Sequence, residues 1–135
     1  MTREKVLDSW ASLCYLEQEL GFEKIIDLFD KAVESSKPLL MCIVNWGEVY
    51  YQILRRFGDQ KAQEIEQLIQ TLPITLVEAD KDLTREAAHI KATKRMAYAD
   101  CFAVALACLR KAELYTGDPE FRAVEKDIKV ELRVS

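Results

Sequence analysis

Acidic residues in this 135-residue chain occupy positions from which their carboxylates could meet. Each of the four acids follows or opens an apolar run, and they are Asp8, Glu48, Asp100 and Asp118. Carboxylate oxygens without Cys or His partners are typical ligands of Mg²⁺ and Mn²⁺. One or two such ions can activate water for in-line attack on a phosphodiester. The set therefore indicates metal-assisted phosphodiester hydrolysis as candidate chemistry.

Each acid also has an ordinary structural explanation. Asp8 could cap the helix that follows it, and Asp100 could cap the buried helix that begins near it. Glu48 lies three residues after Asn45, which is the spacing of a capping box. Asp118 precedes a proline and could belong to a turn before a helix. These explanations account for the acids singly, but not for four acids at one edge of a sheet.

Apolar patterns predict strands that alternate with helices. Strands are predicted at the runs KVLD, LLMCIV, ITLVE, ELYT and IKVELRV. Helices are predicted over roughly 9–20, 22–35, 45–57, 59–72, 80–95 and 98–109, with a short helix at PEFRAVEK. We therefore predict an α/β fold in which a central parallel sheet of about five short strands is sandwiched by helices in three layers. In such a sheet, sites form beyond the carboxyl ends of the strands.

Length, charge and hydropathy exclude several classes of protein for this chain. A chain of 135 residues is expected to form a single domain, here spanning residues 1–135. The formal net charge of −4 opposes a protein that coats nucleic acid through bulk positive charge. No apolar run approaches the ~18 residues of a membrane span, and the start MTREKVLDSW lacks the apolar stretch of a signal peptide. We expect a cytoplasmic location and no membrane partner.

Histidine and cysteine chemistry finds no support in the sequence. The single histidine, His89, lies in the charged stretch REAAHIKATKR. The cysteines fall in apolar segments and form no CxxC pair; they are Cys14, Cys42, Cys101 and Cys108. We expect four reduced core cysteines, and neither a zinc site nor catalysis of the Ser/His or Cys/His type.

Four segments resemble the motif blocks of the PIN-domain nucleases, especially the VapC-type toxins of prokaryotic toxin–antitoxin pairs. The segments are VLDSW, VNWGEVYY, YADCFAVALA and YTGDPEF. The resemblance covers nearly the whole chain, in the order and spacing of the family. It implies an endoribonuclease that uses Mg²⁺ or Mn²⁺ and whose fold is a parallel sheet sandwiched by helices.

The resemblance also assigns roles to individual residues. It implies that the catalytic and metal-binding residues are Asp8, Glu48, Asp100 and Asp118. It implies that the hydroxyls of Ser9 and Thr116 support these acids. Glu120 stands where some relatives carry another aspartate, so the sequence leaves a metal role for Glu120 open.

An acidic pocket does not attract a polyanion, so an RNA substrate needs cations nearby. The candidate RNA-binding residues are Arg55, Arg56, Lys91, Lys94 and Arg95. A solvated charged face is the competing explanation for each of them. Two other functions stay open as alternatives: a degenerate PIN-like protein that acts only through partners, and a DNA-directed structure-specific nuclease.

The resemblance to VapC-type toxins implies a cognate antitoxin as partner. We predict that this partner inserts an Arg or Lys near Asp8, Glu48 and Asp100, because a guanidinium can bind two carboxylate oxygens at once. An apolar segment of the partner is predicted to lie against helices that include residues 14–28. The RNA target and the oligomeric state, including a homodimer, are left open by the sequence.

Overall fold

A computed structural model describes residues 3–16, 22–116, 121, 124 and 130–132 of the chain. Helices and strands alternate as the sequence predicts. In chain order the elements are β1 (Lys5–Leu7), α1 (Ser9–Leu16), α2 (Phe22–Ser35), β2 (Leu39–Cys42), α3 (Ile43–Phe57), α4 (Asp59–Thr71), β3 (Ile74–Val77), α5 (Lys81–Thr93), α6 (Tyr98–Arg110), β4 (Glu113–Thr116) and β5 (Val130–Leu132).

The strands form one sheet in the order β3-β2-β1-β4-β5, and every described pair is parallel. Four strands lie in the part of the chain up to residue 116, and β5 pairs with β4 at the edge. Helices cover both faces. The predicted α/β architecture, a parallel sheet between layers of helices, is confirmed.

The position of β2 inside the sheet, between β1 and β3, explains why its sequence is apolar throughout. All four of its residues are buried. Leu40 and Cys42 belong to the core on the face of α5 and α6. Leu39 and Met41 belong to cores on the opposite face, where α1 to α4 pack. A parallel strand covered on both faces carries apolar residues at every position rather than at alternate positions.

The helix α6 has the most continuous burial in the described part of the chain. Residues 101–107 are all buried, and they pack in the core shared with α5. Alanines at 103, 105 and 107 alternate with larger residues, which leaves room for α6 to lie close to both the sheet and α5. This packing fixes the position of the first turn of α6, which contains Asp100.

The start of α3 differs from the prediction. The run LLMCIV predicts a strand over 39–44 with a helix from Asn45, whereas the strand ends at Cys42 and the helix begins at Ile43. The β-branched apolar residues Ile43 and Val44 suit a buried strand and a buried helical turn equally well, so the pattern does not distinguish them. The prediction that Asn45 begins the helix is therefore wrong.

Other boundaries agree within a few residues or lie outside the described part. Asp80, predicted as the first residue of the helix over 80–95, is the N-cap of α5, and its Oδ1 accepts a hydrogen bond from Leu83 N at 2.9 Å. Asp59 is the first residue of α4 rather than its cap, which is Gly58. The predicted extension of the first helix over 17–20 lies outside the described residues, as does most of the predicted helix at 119–126. None of the described helices is long and apolar enough to cross a bilayer.

The junction of α3 and α4 generates a stability prediction. Gly58 has φ +92° and ψ 176°, a combination that is essentially limited to glycine. No atom lies within 4 Å of an added Cβ, so backbone strain alone opposes a side chain there. Gly58→Ala is expected to lower the free energy of unfolding by about 1–3 kcal/mol.

Gly47→Ala is the matched control for that substitution. Gly47 also has open space around an added Cβ, but it lies inside α3 without a positive φ. Its replacement should raise the free energy of unfolding by about 0.5–1 kcal/mol. Urea unfolding measures both variants, and a stabilising effect of Gly58→Ala would contradict the assigned strain.

Candidate active site

The order of the strands creates a crevice between β1 and β4. The chain leaves β1 toward β2 on one side and leaves β4 toward β5 on the other. In a parallel sheet, ligand sites form where the connections diverge in this way. Asp8 directly follows β1 and Thr116 ends β4, and Asp8 N donates a hydrogen bond to Tyr115 O at 3.4 Å. Asp8 and Thr116, each 1% exposed, are thus brought to the same crevice.

The side chain of Asp8 is oriented by the helix that follows it. Its Oδ1 accepts a hydrogen bond from Ala11 N at 2.8 Å, so Asp8 caps α1. Ser12 Oγ donates to the main-chain oxygen of Asp8 at 3.2 Å. A carboxylate has about four acceptor positions, so capping and a ligand role are compatible. The cap holds the carboxylate at the crevice.

Glu48 is held by the first residue of α1. Ser9 Oγ donates a hydrogen bond to Glu48 Oε1, and Ser9 is buried while Glu48 is half-buried. Because the N-cap of α3 is Cys42, Glu48 is the sixth residue of the helix and lies beyond its first turn. The capping-box explanation of Glu48 does not apply. The contact links α1 to α3 at the edge that carries Asp8.

Asp100 lies in the first turn of α6 and is 8% exposed. The N-cap of this helix is Ala97, so Asp100 does not occupy the capping position. Its neighbour contacts α3, because Asn45 Nδ2 donates a hydrogen bond to Ala99 O at 3.0 Å. Asn45 is fully buried and lies three residues before Glu48, which places both on one face of α3. That face connects Glu48 with the helix that carries Asp100.

Asn45 is the site residue that the sequence did not identify. Its apparent position at a helix start suggested capping, whereas the structure places it inside α3 and against α6. The spacing of three residues from Glu48 was the available signal. Asp118, and with it Glu120, lies outside the described residues, so its role stays a prediction.

The residues at this edge fit a hard divalent cation in their chemistry. The side-chain atoms of these acids that could coordinate a cation are all oxygens, which suit Mg²⁺ or Mn²⁺. In the part of the chain that the structure describes, no three Asp, Glu, His or Cys side chains form a group that could hold a metal ion. Mg²⁺ is usually bound through one or two carboxylates, with water and substrate phosphate completing its shell, so it needs no closed protein cage. Asp8, Glu48 and Asp100 are the described residues that could hold it.

Among the described residues, no thiol or imidazole belongs to a group that could hold a metal ion. Burial raises the pKa of the Cys42 thiol, and the amides of Val44 and Asn45 oppose that shift only in part. Cys42 and Cys101 are buried, while Cys108 is half-buried. The Cys42 thiol at the head of α3 thus stays protonated near neutral pH. The side chain of Cys14 lies outside the described part.

The predicted RNA-binding residues fall into two groups. Lys94 and Arg95 lie between α5 and α6, close in sequence to Asp100, and Lys91 Nζ donates to Met96 O at 2.7 Å in the same segment. The second group, Arg55 and Arg56, occupies the last turn of α3. Arg55 is seven residues from Glu48, roughly 10 Å along the helix axis. The segment before α6 is therefore the cationic group nearest in sequence to a candidate acid.

A cavity of about 820 Å³ lies at the opposite edge of the sheet. It is lined by residues that precede β1 and begin β2 and β3, and by Arg110 at the end of α6. Arg110 forms two hydrogen bonds to Glu4, at 2.8 and 3.0 Å, and this contact raises the pKa of Arg110. The cavity and the acids therefore occupy different edges, and the candidate site rests on its side-chain chemistry rather than on cavity size.

Solved structures that share this fold include three that contain VapC or a toxin–antitoxin complex. DNA-bound VapBC from Salmonella typhimurium has 14% identity and a TM-score of 0.76, covering 99% of this chain and 100% of that chain. A toxin–antitoxin complex from Klebsiella pneumoniae has 16% identity and a TM-score of 0.69. The match covers 98% of this chain and 99% of that chain. VapC20 from Mycobacterium tuberculosis is a toxin that cleaves the sarcin-ricin loop. It has 16% identity and a TM-score of 0.65, and the match covers 90% of this chain and 95% of that chain. At these identities the likeness concerns the fold alone.

The family model of the PIN domain matches residues 5–127 of the sequence. A comparison with curated proteins found no match. A parallel sheet between layers of helices, with acids at its carboxyl edge, defines the class as an α/β protein. The chain belongs to the PIN-domain family, and the resemblance seen in the sequence is confirmed.

The hydrogen bond from Ser9 to Glu48 leads to a testable expectation. Ser9→Ala removes the donor that orients Glu48, so it should weaken Mn²⁺ binding about tenfold, the lower end of the range for an outer-shell partner. Ser12→Ala is the matched control, because its hydroxyl contacts the main-chain oxygen of Asp8 rather than a site carboxylate. Calorimetric titration with Mn²⁺ compares the variants. Equal Mn²⁺ affinities in the two would contradict the assigned role of Ser9.

Proposed function

We propose that this PIN-domain protein is a Mg²⁺- or Mn²⁺-dependent endoribonuclease that hydrolyses phosphodiester bonds in cytoplasmic RNA. Asp8, Glu48, Asp100 and Asp118 are its proposed catalytic and metal-binding residues. The observation that carries the proposal is the placement of two buried acids, Asp8 and Asp100, at one edge with the oriented Glu48. Membership of the PIN-domain family supports it independently.

The described acids have different proposed roles in hydrolysis, according to how far each is buried. Asp8 and Asp100 are almost inaccessible to solvent and held at helix starts, so they form the fixed part of the site. Glu48 is half-buried and held through one oxygen by Ser9, so it is the described acid best suited to take a proton from the attacking water. A bound divalent cation supplies stabilisation of the developing phosphoryl charge.

The hydroxyl groups of Thr116 and Ser9 are proposed to support the acids of the site. Thr116 ends β4 beside the Asp8 position and is 1% exposed, and its hydroxyl is proposed to support Asp8. Ser9 fixes Glu48 as described above. Lys94 and Arg95, at the segment before α6, are proposed to bind phosphates of the RNA strand near Asp100. Lys91, Arg55 and Arg56 are proposed as further contacts along the strand.

Substitution of the acids tests the proposal. Asp8→Asn, Glu48→Gln and Asp100→Asn should each reduce Mn²⁺-dependent cleavage of total RNA by more than about 100-fold, because loss of even an outer-shell partner costs about 10–100-fold. EDTA should abolish cleavage by the unaltered protein. Asp30→Asn, the same change at an exposed position of α2, is the control and should keep full activity.

The alternatives give different outcomes in the same assay. If the acids serve only as caps, each change costs about 1 kcal/mol of stability and leaves cleavage intact. Preferential cleavage of DNA of matching sequence would indicate the DNA-directed nuclease. A folded, unaltered protein that cleaves neither RNA nor DNA in Mn²⁺ would indicate the degenerate, partner-binding protein.

Neutralisation of Lys94 and Arg95 tests the RNA contact. The double change to Gln should weaken RNA binding and flatten its dependence on salt, with the logarithmic slope falling by roughly 1.4 if each residue contacts one phosphate of a single strand. Lys31 and Lys61, which are exposed and paired with Asp27 and Glu64, provide the two-charge control. Fluorescence anisotropy across a salt series measures the slope. An identical slope in both double variants would assign Lys94 and Arg95 to a solvated face.

An antitoxin is the proposed protein partner, which would make this chain the toxin of a toxin–antitoxin pair. The similar structures from Salmonella typhimurium and Klebsiella pneumoniae contain a VapBC pair and a toxin–antitoxin complex, respectively. On this chain, α2 exposes Ile26 at 37% and Val33 at 66%, seven residues apart on one face. Ile26 lies within the predicted contact region of residues 14–28, and Val33 extends that region along α2.

Copurification from the native host tests the partner. We expect a small protein to copurify, to inhibit RNA cleavage, and to lose inhibition when its inserted Arg or Lys is changed to Ala. Val33→Asp on α2 should weaken the complex without altering cleavage by the free protein. Recovery of the chain alone or as a homodimer, together with harmless overexpression, would contradict the toxin role while leaving a ribonuclease intact.

A further inference from the structure

The single asparagine of the chain, Asn45, is buried in an unusual way. Its side chain is 0% exposed, and its Nδ2 donates a hydrogen bond to Ala99 O at 3.0 Å. No donor among the described residues reaches its Oδ1. A buried amide with one unsatisfied acceptor lowers the stability of the fold relative to an apolar residue of similar size. The residue therefore calls for an explanation other than packing.

The hydrogen bond to Ala99 is not needed to satisfy the backbone. Ala99 lies inside α6, where its carbonyl already accepts the regular helical bond from Ala103 N. Asn45 thus adds a second donor to an oxygen that has one. Its effect is geometric, because it ties one face of α3 to the first turn of α6.

The two ends of this tie each lie beside a candidate ligand. Glu48 follows Asn45 by three residues on the same face of α3, and Asp100 follows Ala99 directly. Both helices are rigid at this point, since Val49 and residues 101–107 are buried in the cores. A fixed distance between Asn45 and Ala99 therefore fixes the distance between the backbones that carry Glu48 and Asp100.

We propose that Asn45 is a positioning residue that sets the separation of Glu48 and Asp100 for binding of a divalent cation. The inference rests on the proposed function, because it assigns Asn45 to the same site. It goes beyond that function by naming a residue that touches neither the acids' carboxylates nor the substrate in the described contacts, but controls where two of those acids stand.

Replacement of Asn45 by an apolar residue of similar shape provides the test. Asn45→Leu keeps the branched skeleton of the side chain and removes the donor, so it should weaken Mn²⁺ affinity about tenfold in a calorimetric titration. Ile53→Ala is the control on the same helix: it removes buried core atoms and destabilises the fold without touching the tie. It should leave Mn²⁺ affinity within about twofold of the unaltered protein. If the leucine variant does not fold, Asn45→Ser replaces it, because the shorter hydroxyl does not reach Ala99 O.

A second measurement separates positioning from loss of a ligand. Raised Mn²⁺ should restore RNA cleavage by Asn45→Leu, which keeps all the acids, but not by Asp100→Asn. Mn²⁺ affinity of Asn45→Leu equal to that of Ile53→Ala would overturn the inference and leave the proposed function standing. Absence of Mn²⁺ binding by the unaltered protein would overturn the metal-dependent function and the inference together.

Discussion

Burial of the carboxylates of Asp8 and Asp100 is the constraint on which the rest of this structure depends. Ionised carboxylates are costly to remove from water unless hydrogen bonds and fixed dipoles replace the lost hydration. Helix N-termini supply both, through free backbone N–H groups and the positive end of the helix dipole. Asp8 uses the start of α1 and Asp100 the first turn of α6. The acids are therefore tolerable at this edge and would be costly almost anywhere else in the core.

A parallel sheet is the architecture that gathers several helix N-termini at one edge. Every crossover leaves a strand at its carboxyl end, so α1 and α3 begin there directly after β1 and β2. The strand order then adds the divergence of connections between β1 and β4. In this architecture, one carboxylate can both cap a helix and bind a ligand. The bond from Ala11 N to Asp8 orients the same carboxylate that the proposed site uses.

Much of the fold was predictable from local pattern, and the limits have physical causes. The stretch over Phe22–Ser35 was assigned correctly because its apolar positions recur with the helical period. The boundary between β2 and α3 was not, because a residue run buried on all sides lacks any period. The family resemblance located the acids, but Asn45 stayed hidden, since its contact with Ala99 spans 54 residues and depends on tertiary packing.

The roles of the acids are less accessible to either approach than their positions. Sequence and structure agree in putting Asp8, Glu48 and Asp100 at the carboxyl edge, but protonation and cation affinity depend on distances that only binding fixes. Local pattern could not foresee that Ser9, rather than the start of α3, would hold Glu48. Contacts between distant segments of the chain are decided by the cores on both faces of the sheet.

The cavity at the amino edge has a consequence for how this protein can change over time. It lies across the sheet from the acids, and β1 between them is only three residues long, roughly 10 Å. The cavity is bordered by loop and helix-end residues such as Ser36 and Lys37, which are exposed. Substitutions there alter surface charge without repacking the buried layer that carries Asp8. The amino edge can therefore be substituted independently of the carboxyl edge, because the sheet separates the two surfaces.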